Sequence, residues 1–304
     1  MNKNMNKSQP LVSVVMPVYN AGDFLVEAIE SILNQTYQNF EFIIVDDNST
    51  DGSNRIIKRY QKRYPKKIKL IQMTKTLNCG GDRCANEGIK LATGKYIARM
   101  DADDIAHKDR LTRQVSFLEK NPKVFLLGST AYVVDKNATL IGEKKEPLSY
   151  TDIYRSYCTF HPLIHPSVML RRIYRGKPFA YEIRYSANND YYTFFKILCR
   201  GACFANLPDK LLYYRIHGRN DTFVNIKEKF LNTLKIRMLM VLKYGYRPTP
   251  KDIATSVVQS ITLLLLPEFL TAKLYLLTKG IIKIKNPLWR LKLRSPYKLL
   301  YTLR

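Results

Sequence analysis

Strand and helix signals alternate through the first third of this chain, with connections too short for anything but a layered α/β fold. Leu11-Val12-Ser13-Val14-Val15-Met16 is a nearly unbroken apolar run, as a fully buried strand requires. Pro17 halts it, and an amphipathic pattern from about Ala21 to Gln35 predicts a helix. The cycle repeats with Phe40 to Val45 followed by a helix from about Asp51 to Tyr64, then Ile68 to Ile71 followed by Arg83 to Ala92, then a strand from Tyr96 to Met100. Such a series predicts a mainly parallel central sheet flanked by helices. Ligands of these sheets bind beyond the carboxyl ends of the strands. Tyr19, Asp46, Asp47, Asp101 and Asp103 all fall there.

The fourth strand run ends in Asp101-Ala102-Asp103-Asp104. Carboxylates crowded this closely repel one another and cannot enter a core uncompensated. A divalent cation carried by a diphosphate relieves that repulsion, because hard cations take oxygen ligands from carboxylates and phosphates together. Taken alone, an Asp-x-Asp is equally compatible with a plain acidic loop, so its neighbours decide. The turn after the first strand, Pro17-Val18-Tyr19-Asn20-Ala21-Gly22, is not the Gly-x-Gly-x-x-Gly of a dinucleotide fold. No Gly-x4-Gly-Lys-Ser/Thr segment occurs, which excludes a P-loop.

The charge narrows the partners. Fifty Lys and Arg against 25 Asp and Glu give a formal +25 and an isoelectric point near 9.8, a balance that favours anionic membranes, nucleic acid or phosphorylated substrates. No DNA- or RNA-reading motif accompanies it, and an acidic cluster repels phosphate unless a metal intervenes, so nucleic acid is not the expected partner. The five cysteines (Cys79, Cys84, Cys158, Cys199, Cys203) show no framework spacing and predict reduced thiols of a cytoplasmic protein. Cys158-x2-His161-x3-His165 has zinc-like spacing but lacks a paired Cys-x2-Cys half. Residues 1–10 hold no apolar stretch, which predicts a disordered N-terminus and no signal peptide.

Further on, a helix from about Leu111, a strand at Val124 to Leu127 and a hairpin around Asp135 to Thr139 are expected. The stretch 128–188 is poorly patterned. A helix at Asp190 to Cys199 and a strand at Leu211 to Ile216 come next. Beyond Asn225 the pattern is helical, broken by Arg247-Pro248-Thr249-Pro250. After Glu268 no acidic residue appears, while Lys273, Lys279, Lys283, Arg290 and Arg294 alternate with Leu, Ile, Tyr and Trp289. Pro267, Glu268, Lys273 and Lys279 interrupt any stretch of membrane-spanning length. Two readings stand: a basic amphipathic region lying in an anionic membrane surface, or a helical cap with a solvated basic face.

One ordered series of short motifs unites these pieces. It runs Pro17-Val18-Tyr19-Asn20, Val45-Asp46-Asp47-Asn48-Ser49-Thr50-Asp51, Arg83-x-x-Asn86-Glu87-Gly88, Ala92-x-Gly94-x-Tyr96-Ile97 and Asp101-Ala102-Asp103-Asp104. His165-Pro166-Ser167-Val168-Met169, Asn189-Asp190-Tyr191 and Tyr214-Arg215-Ile216-His217 complete it. In this the chain resembles glycosyltransferase family 2, inverting enzymes with the GT-A (nucleotide-diphospho-sugar transferase) fold, of the type that builds bacterial surface polysaccharides. The resemblance covers about residues 11–220. It implies a catalytic domain over 11–222, with a nucleotide-binding half (11–104) and an acceptor-binding half (105–222), followed by a helical, basic C-terminal region (223–304).

The resemblance also implies roles. Pro17, Val18, Tyr19 and Asp47 would hold the base, Tyr19 by stacking on a pyrimidine and Asp47 by accepting the ring N–H of uracil or thymine. Asp51, Arg83, Asp101 and Ala102 would also face the donor. For Asp51 a purely local place at a helix start stands beside that role, and for Arg83 a surface ion pair does. Asp103, Asp101 and His217 would bind Mn²⁺ or Mg²⁺ bridging the diphosphate, with Arg215 closing over it. Asp190 would be the general base, and its place at a helix start is compatible with that work. The family's usual Glu before this Asp is Asn189 here, which removes a charge that would raise the pKa of the base. The implied activity moves a sugar from a nucleotide-diphosphate sugar, UDP foremost, to a glycan or lipid-linked acceptor at the inner face of the plasma membrane. An inactive membrane- or nucleic-acid-binding protein on the same fold is the alternative.

Overall fold

The computed structural model describes residues 9–77, 81–217, 220, 225–267, 270, 274 and 277. Cys79, the expected disordered N-terminus up to residue 8 and most of the basic tail lie outside the described residues. The first half of the chain forms β1 (Val12–Val18), α1 (Leu25–Leu33), β2 (Phe40–Asp46), α2 (Ser53–Arg63), β3 (Ile68–Gln72), α3 (Asp82–Leu91), β4 (Tyr96–Arg99), β5 (Ile105–Ala106) and α4 (Arg110–Lys120). The second half forms β6 (Val124–Val134), β7 (Leu140–Lys144), α5 (Tyr150–Ser156), β8 (Met169–Arg171), β9 (Ile173–Tyr174), β10 (Lys177–Pro178), α6 (Asn189–Cys199), β11 (Cys203–Arg215), α7 (Ile226–Tyr244) and α8 (Pro250–Leu265).

One mixed sheet has the order β3-β2-β1-β4-β8-β6-β11-β5, with β7 beside β6. Strands β1 to β4 are mutually parallel, and β6 and β11 are parallel to each other. The short β8 lies antiparallel between β4 and β6 and so returns both groups to one direction. Every residue of β2 is buried because helices cover both faces of the sheet. Leu25, Ile29 and Ile32 of α1, Ile57 of α2 and Leu111 of α4 fill one layer. Ala85 and Ile89 of α3, Phe194 and Phe195 of α6 and Ile236 and Met240 of α7 fill the other.

A single glycine sets how closely α3 seats on the sheet. A Cβ on Gly88 would come within 2.8 Å of a Val15 methyl and 3.0 Å of a Val45 methyl, so only glycine lets this helix lie so close to β1 and β2. That approach carries the start of α3, Gly81 and Asp82, to the carboxyl ends of those strands.

At the opposite, amino end of the sheet, Glu41 ties three elements together. Its Oε1 accepts the Ser13 hydroxyl at 2.6 Å, the Thr93 N–H at 2.7 Å and the Thr93 hydroxyl at 2.8 Å, while Oε2 pairs with Lys69 at 2.6 Å. Burial alone would raise its pKa, but Lys69, Ser13 and Thr93 outweigh that and hold it near 2, against an ordinary 4.5. A depressed carboxyl stabilises the fold fully above its unfolded pKa, and the contribution is lost as pH falls through the folded value. Glu41→Gln is therefore expected to lower stability at pH 7 by on the order of 2 kcal/mol, Lys69 being partly solvent-screened. In urea titrations the gap between the two proteins should shrink between pH 4.5 and 2. A gap constant with pH would contradict this account.

The expected elements of the first half form within a residue or two of their bounds, except that α1 opens at Leu25, four residues later than expected, after a 3-10 turn at Gly22–Phe24. In the second half β6 and β11 run much longer than their apolar segments suggest, and α6 opens at Asn189 behind Asn188 (φ 64°), so Asp190 sits inside the first turn and is not the cap. Helix α8 begins with a capping box between Thr249 and Asp252. It docks through Ser256 and Gln259, which donate to the carbonyls of Cys158 and Thr159. Among the described residues no helix is long and apolar enough to cross a membrane.

Candidate active site

A cavity of about 1640 Å³ opens over the carboxyl ends of β1, β2 and β4 and extends beneath α7 and α8. Pro17, Val18 and Tyr19 leave β1 along its wall, Tyr19 standing 57% exposed at the mouth. Asp47 lies beside them, its Oδ1 accepting the Leu77 N–H at 2.8 Å. Burial and the charge of Asp46 raise the pKa of Asp47 against that hydrogen bond. Asp46 itself is consumed by the fold, accepting from the Ser49 N–H and the Asn54 amide. Asp51 and Arg83 do not join this wall. Asp51 borders a separate shallow groove with Gly22 and Arg55, and its carboxylate accepts the Ser53 N–H at 3.0 Å. Although burial opposes it, Ser53 lowers the Asp51 pKa, as fits a local turn cap. Arg83 is exposed and reaches the Leu77 carbonyl at 3.4 Å.

Asp101, Asp103 and Asp104 converge next to the β1 wall, each offering a carboxylate oxygen within 4.8 Å of the others. Asp101 pairs with the buried Arg99 at 2.8 Å, and Asp103 meets His217 Nε2 at 2.9 Å. His217 is held by stacking on Phe24, with ring centroids 4.6 Å apart. Asp104 is 2% exposed; its Oδ1 accepts the Arg215 N–H at 2.8 Å, and its Oδ2 is buried without a hydrogen-bond partner. Burial, then Asp103 and Asp101, push its pKa well up. A hard divalent cation fits this donor set: oxygen ligands, an imidazole, and a buried carboxylate oxygen that the protein leaves unsatisfied. Sequence reasoning left Asp104 out of the ligand set, although its adjacency to Asp103 was the available signal. Ala102 lines the cavity, but Arg215 does not. Its guanidinium is fully buried, donates to the carbonyls of Asp103 (2.8 Å) and Lys136 (2.9 Å), and pairs with Glu27. It braces the acidic turn from behind.

Across the cavity Asp190 faces two imidazoles, with His165 Nδ1 3.6 Å and His161 Nε2 3.7 Å from its Oδ2. Its backbone N–H donates to Asp82 Oδ2 at 3.0 Å. His161 Nδ1 lies 2.9 Å from the Leu163 carbonyl and must carry the proton there, which directs an unprotonated Nε2 toward Asp190. Burial pulls the His161 pKa down and that of His165 to about 3, so both rings are neutral near pH 7. Asp82 is raised well above the usual range by burial and then by the charge of Asp190. Burial pushes Asp190 up as well, yet His165, His161, the Tyr191 N–H and Arg99 bring it below its ordinary value. The imidazoles contribute only so far as they are charged, so with neutral rings the Tyr191 N–H and Arg99 are the pulls that persist. The two carboxyls are pushed in opposite directions, Asp190 toward its ionised form and Asp82 toward its protonated form.

Asn189, in the place of the family's usual Glu, accepts the N–H groups of Arg184 and Tyr185 at 2.9 Å each and donates back to the Tyr185 carbonyl. It staples the loop that presents Asp190. Neither Asp82 nor a role for His161 at Asp190 was anticipated from sequence. The zinc-like Cys158, His161 and His165 do not gather: Cys158 packs near Ser256 while both histidines turn to Asp190. The four described cysteines are free.

Comparison with known proteins agrees with this architecture. The profile of Glycosyl transferase family 2 matches residues 13–175. An uncharacterised glycosyltransferase of Haemophilus influenzae is 35% identical over 77% of this chain and 74% of its own length. The putative teichuronic acid biosynthesis glycosyltransferase TuaG of Bacillus subtilis is 29% identical over 70% of this chain and 81% of its own. Among solved structures, the mannosyltransferase PcManGT of Pyrobaculum calidifontis, determined with GDP-Man and Mn²⁺, superposes with a TM-score of 0.59 at 17% identity over 97% of this chain and 86% of its own, a likeness of fold. The chain is a glycosyltransferase of family 2 on a GT-A fold.

Proposed function

We propose that the protein is an inverting, cation-dependent hexosyltransferase that moves a sugar from UDP to a hydroxyl of a lipid-linked glycan in cell-surface polysaccharide synthesis. The observation that carries this reading is the gathering of Asp47, the Asp101-Asp103-Asp104 cluster and Asp190 around one cavity. Tyr19 offers a stacking face to the base, and Asp47, an acceptor when ionised, suits the ring N–H of uracil. Asp101, Asp103, Asp104 and His217 would hold Mn²⁺ or Mg²⁺. Such a cation neutralises the charge that develops on a departing diphosphate.

Asp190 takes the proton of the acceptor hydroxyl as that oxygen bonds to the anomeric carbon. The anomeric carbon–oxygen bond to the diphosphate breaks with its electron pair, and attack from the opposite face inverts the centre. No second carboxyl is needed as acid, in contrast to glycoside hydrolysis, because a diphosphate whose charge a cation held by these residues would offset can depart as an anion. Asp82, which burial and the charge of Asp190 push toward its neutral form, adds less charge to repel either substrate. The likeness to TuaG, a putative enzyme of teichuronic acid biosynthesis, supports a cell-surface polymer. The basic C-terminal region supports residence on an anionic inner membrane face.

The test is a panel of UDP-, dTDP- and GDP-sugars assayed for Mn²⁺-dependent release of free nucleotide diphosphate. Release from UDP-sugars should dominate. Preference for GDP, the nucleotide seen with PcManGT, would overturn the base assignment alone. Nucleotide binding without any turnover would favour the inactive-binder alternative.

A further inference from the structure

Helix α6 carries Asp190 but does not cap itself. Asn188 ahead of it stands at φ 64° and gives no side-chain hydrogen bond to the first turn, so the early N–H groups need partners from elsewhere. The N–H of Asp190 finds one in Asp82 Oδ2, 3.0 Å away and 108 residues earlier in the chain. Asp82 is the first residue of α3 and only 4% exposed, and its Oδ1 is buried without a hydrogen-bond partner. A buried carboxyl group with one oxygen unsatisfied costs the fold more than its single hydrogen bond offsets. Stability alone does not explain an aspartate here.

The same helix holds the surroundings of Asp190 at a second point. One turn on, Asn86 exchanges two hydrogen bonds with the backbone of Tyr181, its amide donating to the carbonyl and its Oδ1 accepting the N–H, both at 2.8 Å. The Tyr181 hydroxyl lies 2.8 Å from His165 Nε2. The His165 ring spans the two carboxyls, with Nδ1 3.6 Å from Asp190 Oδ2 and Nε2 3.9 Å from Asp82 Oδ1. Behind these contacts α3 is keyed to β1 and β2 at Gly88, where no side chain fits. Gly81, at φ 83°, turns the chain into α3 so close to Arg99 that a Cβ there would stand 3.3 Å from its guanidinium. The line from the sheet through α3 to Asp190 is therefore short and closely packed.

We infer that Asp82 is a positioning residue for sugar transfer: from the start of α3 it fixes where the main chain of Asp190 stands, while Tyr181, through His165, fixes which way the Asp190 carboxylate faces. The inference rests on the sugar-transfer reading and adds residues that act through Asp190 rather than on the reacting atoms. Asp82 comes from the first half of the chain and Asp190 from the second, so their hydrogen bond sets the base in register with the β1, β2 and β4 rim across the cavity. Such register matters, because a base displaced by about 1 Å can lose about 100-fold in rate.

The experiment is a double-mutant cycle with Asp190 in the full chain. Its readout is release of nucleotide diphosphate from the nucleotide sugar that the wild type turns over fastest, with water as the acceptor. Asp82→Ala should lower kcat about 100-fold with the donor KM within about two-fold, yet change kcat by less than about two-fold beside Asp190→Asn. Asp82→Asn keeps an oxygen for the Asp190 N–H and should stay within about three-fold of the wild type. Tyr181→Phe removes one hydroxyl and keeps the ring; it should lower kcat about ten-fold and have no further effect beside Asp190→Asn. Hydrogen–deuterium exchange gives a measure apart from turnover: the amides opening α6 should exchange about ten-fold faster in Asp82→Ala than in the wild type or Asp82→Asn. Additive losses in the cycle would assign Asp82 to the fold or to donor binding and overturn the inference. So would wild-type kcat or wild-type exchange in Asp82→Ala, or Asp82→Asn as impaired as Asp82→Ala. If Asp82→Ala does not fold, Tyr181→Phe in the same cycle, together with exchange and kcat of Asp82→Asn, decides. A wild type that turns over no nucleotide sugar would sink the sugar-transfer reading and this role with it, whereas an active wild type with additive losses would sink the role alone.

Discussion

Asp190→Asn is expected to lower kcat by about 1,000-fold while Mn²⁺-dependent UDP affinity stays within about two-fold, since a positioned general base contributes on the order of 10²–10⁴. The substitution keeps the shape of the side chain and the N–H that Asp82 accepts, but removes the site that takes the proton. A neutral amide cannot accept it, and the nearby imidazoles are poor substitutes because burial holds His165 down to about 3. The loss should appear in kcat, with little change in the donor KM. The pH profile carries a second signature. The lowered Asp190 pKa keeps the base ionised at neutral pH, and the wild-type rate should fall toward acid along a limb that the Asn variant lacks. The same limb in both proteins, or turnover retained by the Asn variant, would remove Asp190 from the role.

Asp103→Asn should be nearly as severe, with a different pattern. Asp103 combines a place in the acidic cluster with a 2.9 Å contact to His217, so its carboxylate sets both a ligand and the orientation of a second one. Losing it should reduce turnover by about 1,000-fold and move the Mn²⁺ concentration for half-maximal rate upward by at least about ten-fold. UDP binding should weaken when Mn²⁺ is present and change little when the metal is removed by EDTA. A Mn²⁺ titration superimposable on that of the wild type would place the cation elsewhere.

The sheet's first half was legible because its strands are short, fully buried and separated by helices, so each apolar run announces one element. The second half obeys no such rule. In β6 the apolar run breaks at Gly128-Ser129-Thr130, and in β11 it breaks at Pro208, yet the two strands pair across these interruptions through register shifts. Strands β8, β9 and β10 are two or three residues long and carry no period at all. The site divides in the same way. Asp101, Asp103 and Asp104 are neighbours in sequence and could be read together. Asp82 meets Asp190 across 108 residues, a pairing that leaves no trace in spacing. Asp51, Arg83 and Arg215 show the converse: a motif position fixes where a residue stands in the chain but not which way its side chain turns.

Glu41 binds Ser13, Lys69 and Thr93 at one pole of the sheet, and the reacting groups stand at the other. Robustness and reactivity are therefore housed apart, and selection can act on either without disturbing its counterpart. Substitutions that harden the Glu41 pole against heat or acid leave rate constants alone, while the opposite rim is free to change its substrates at little risk to the scaffold.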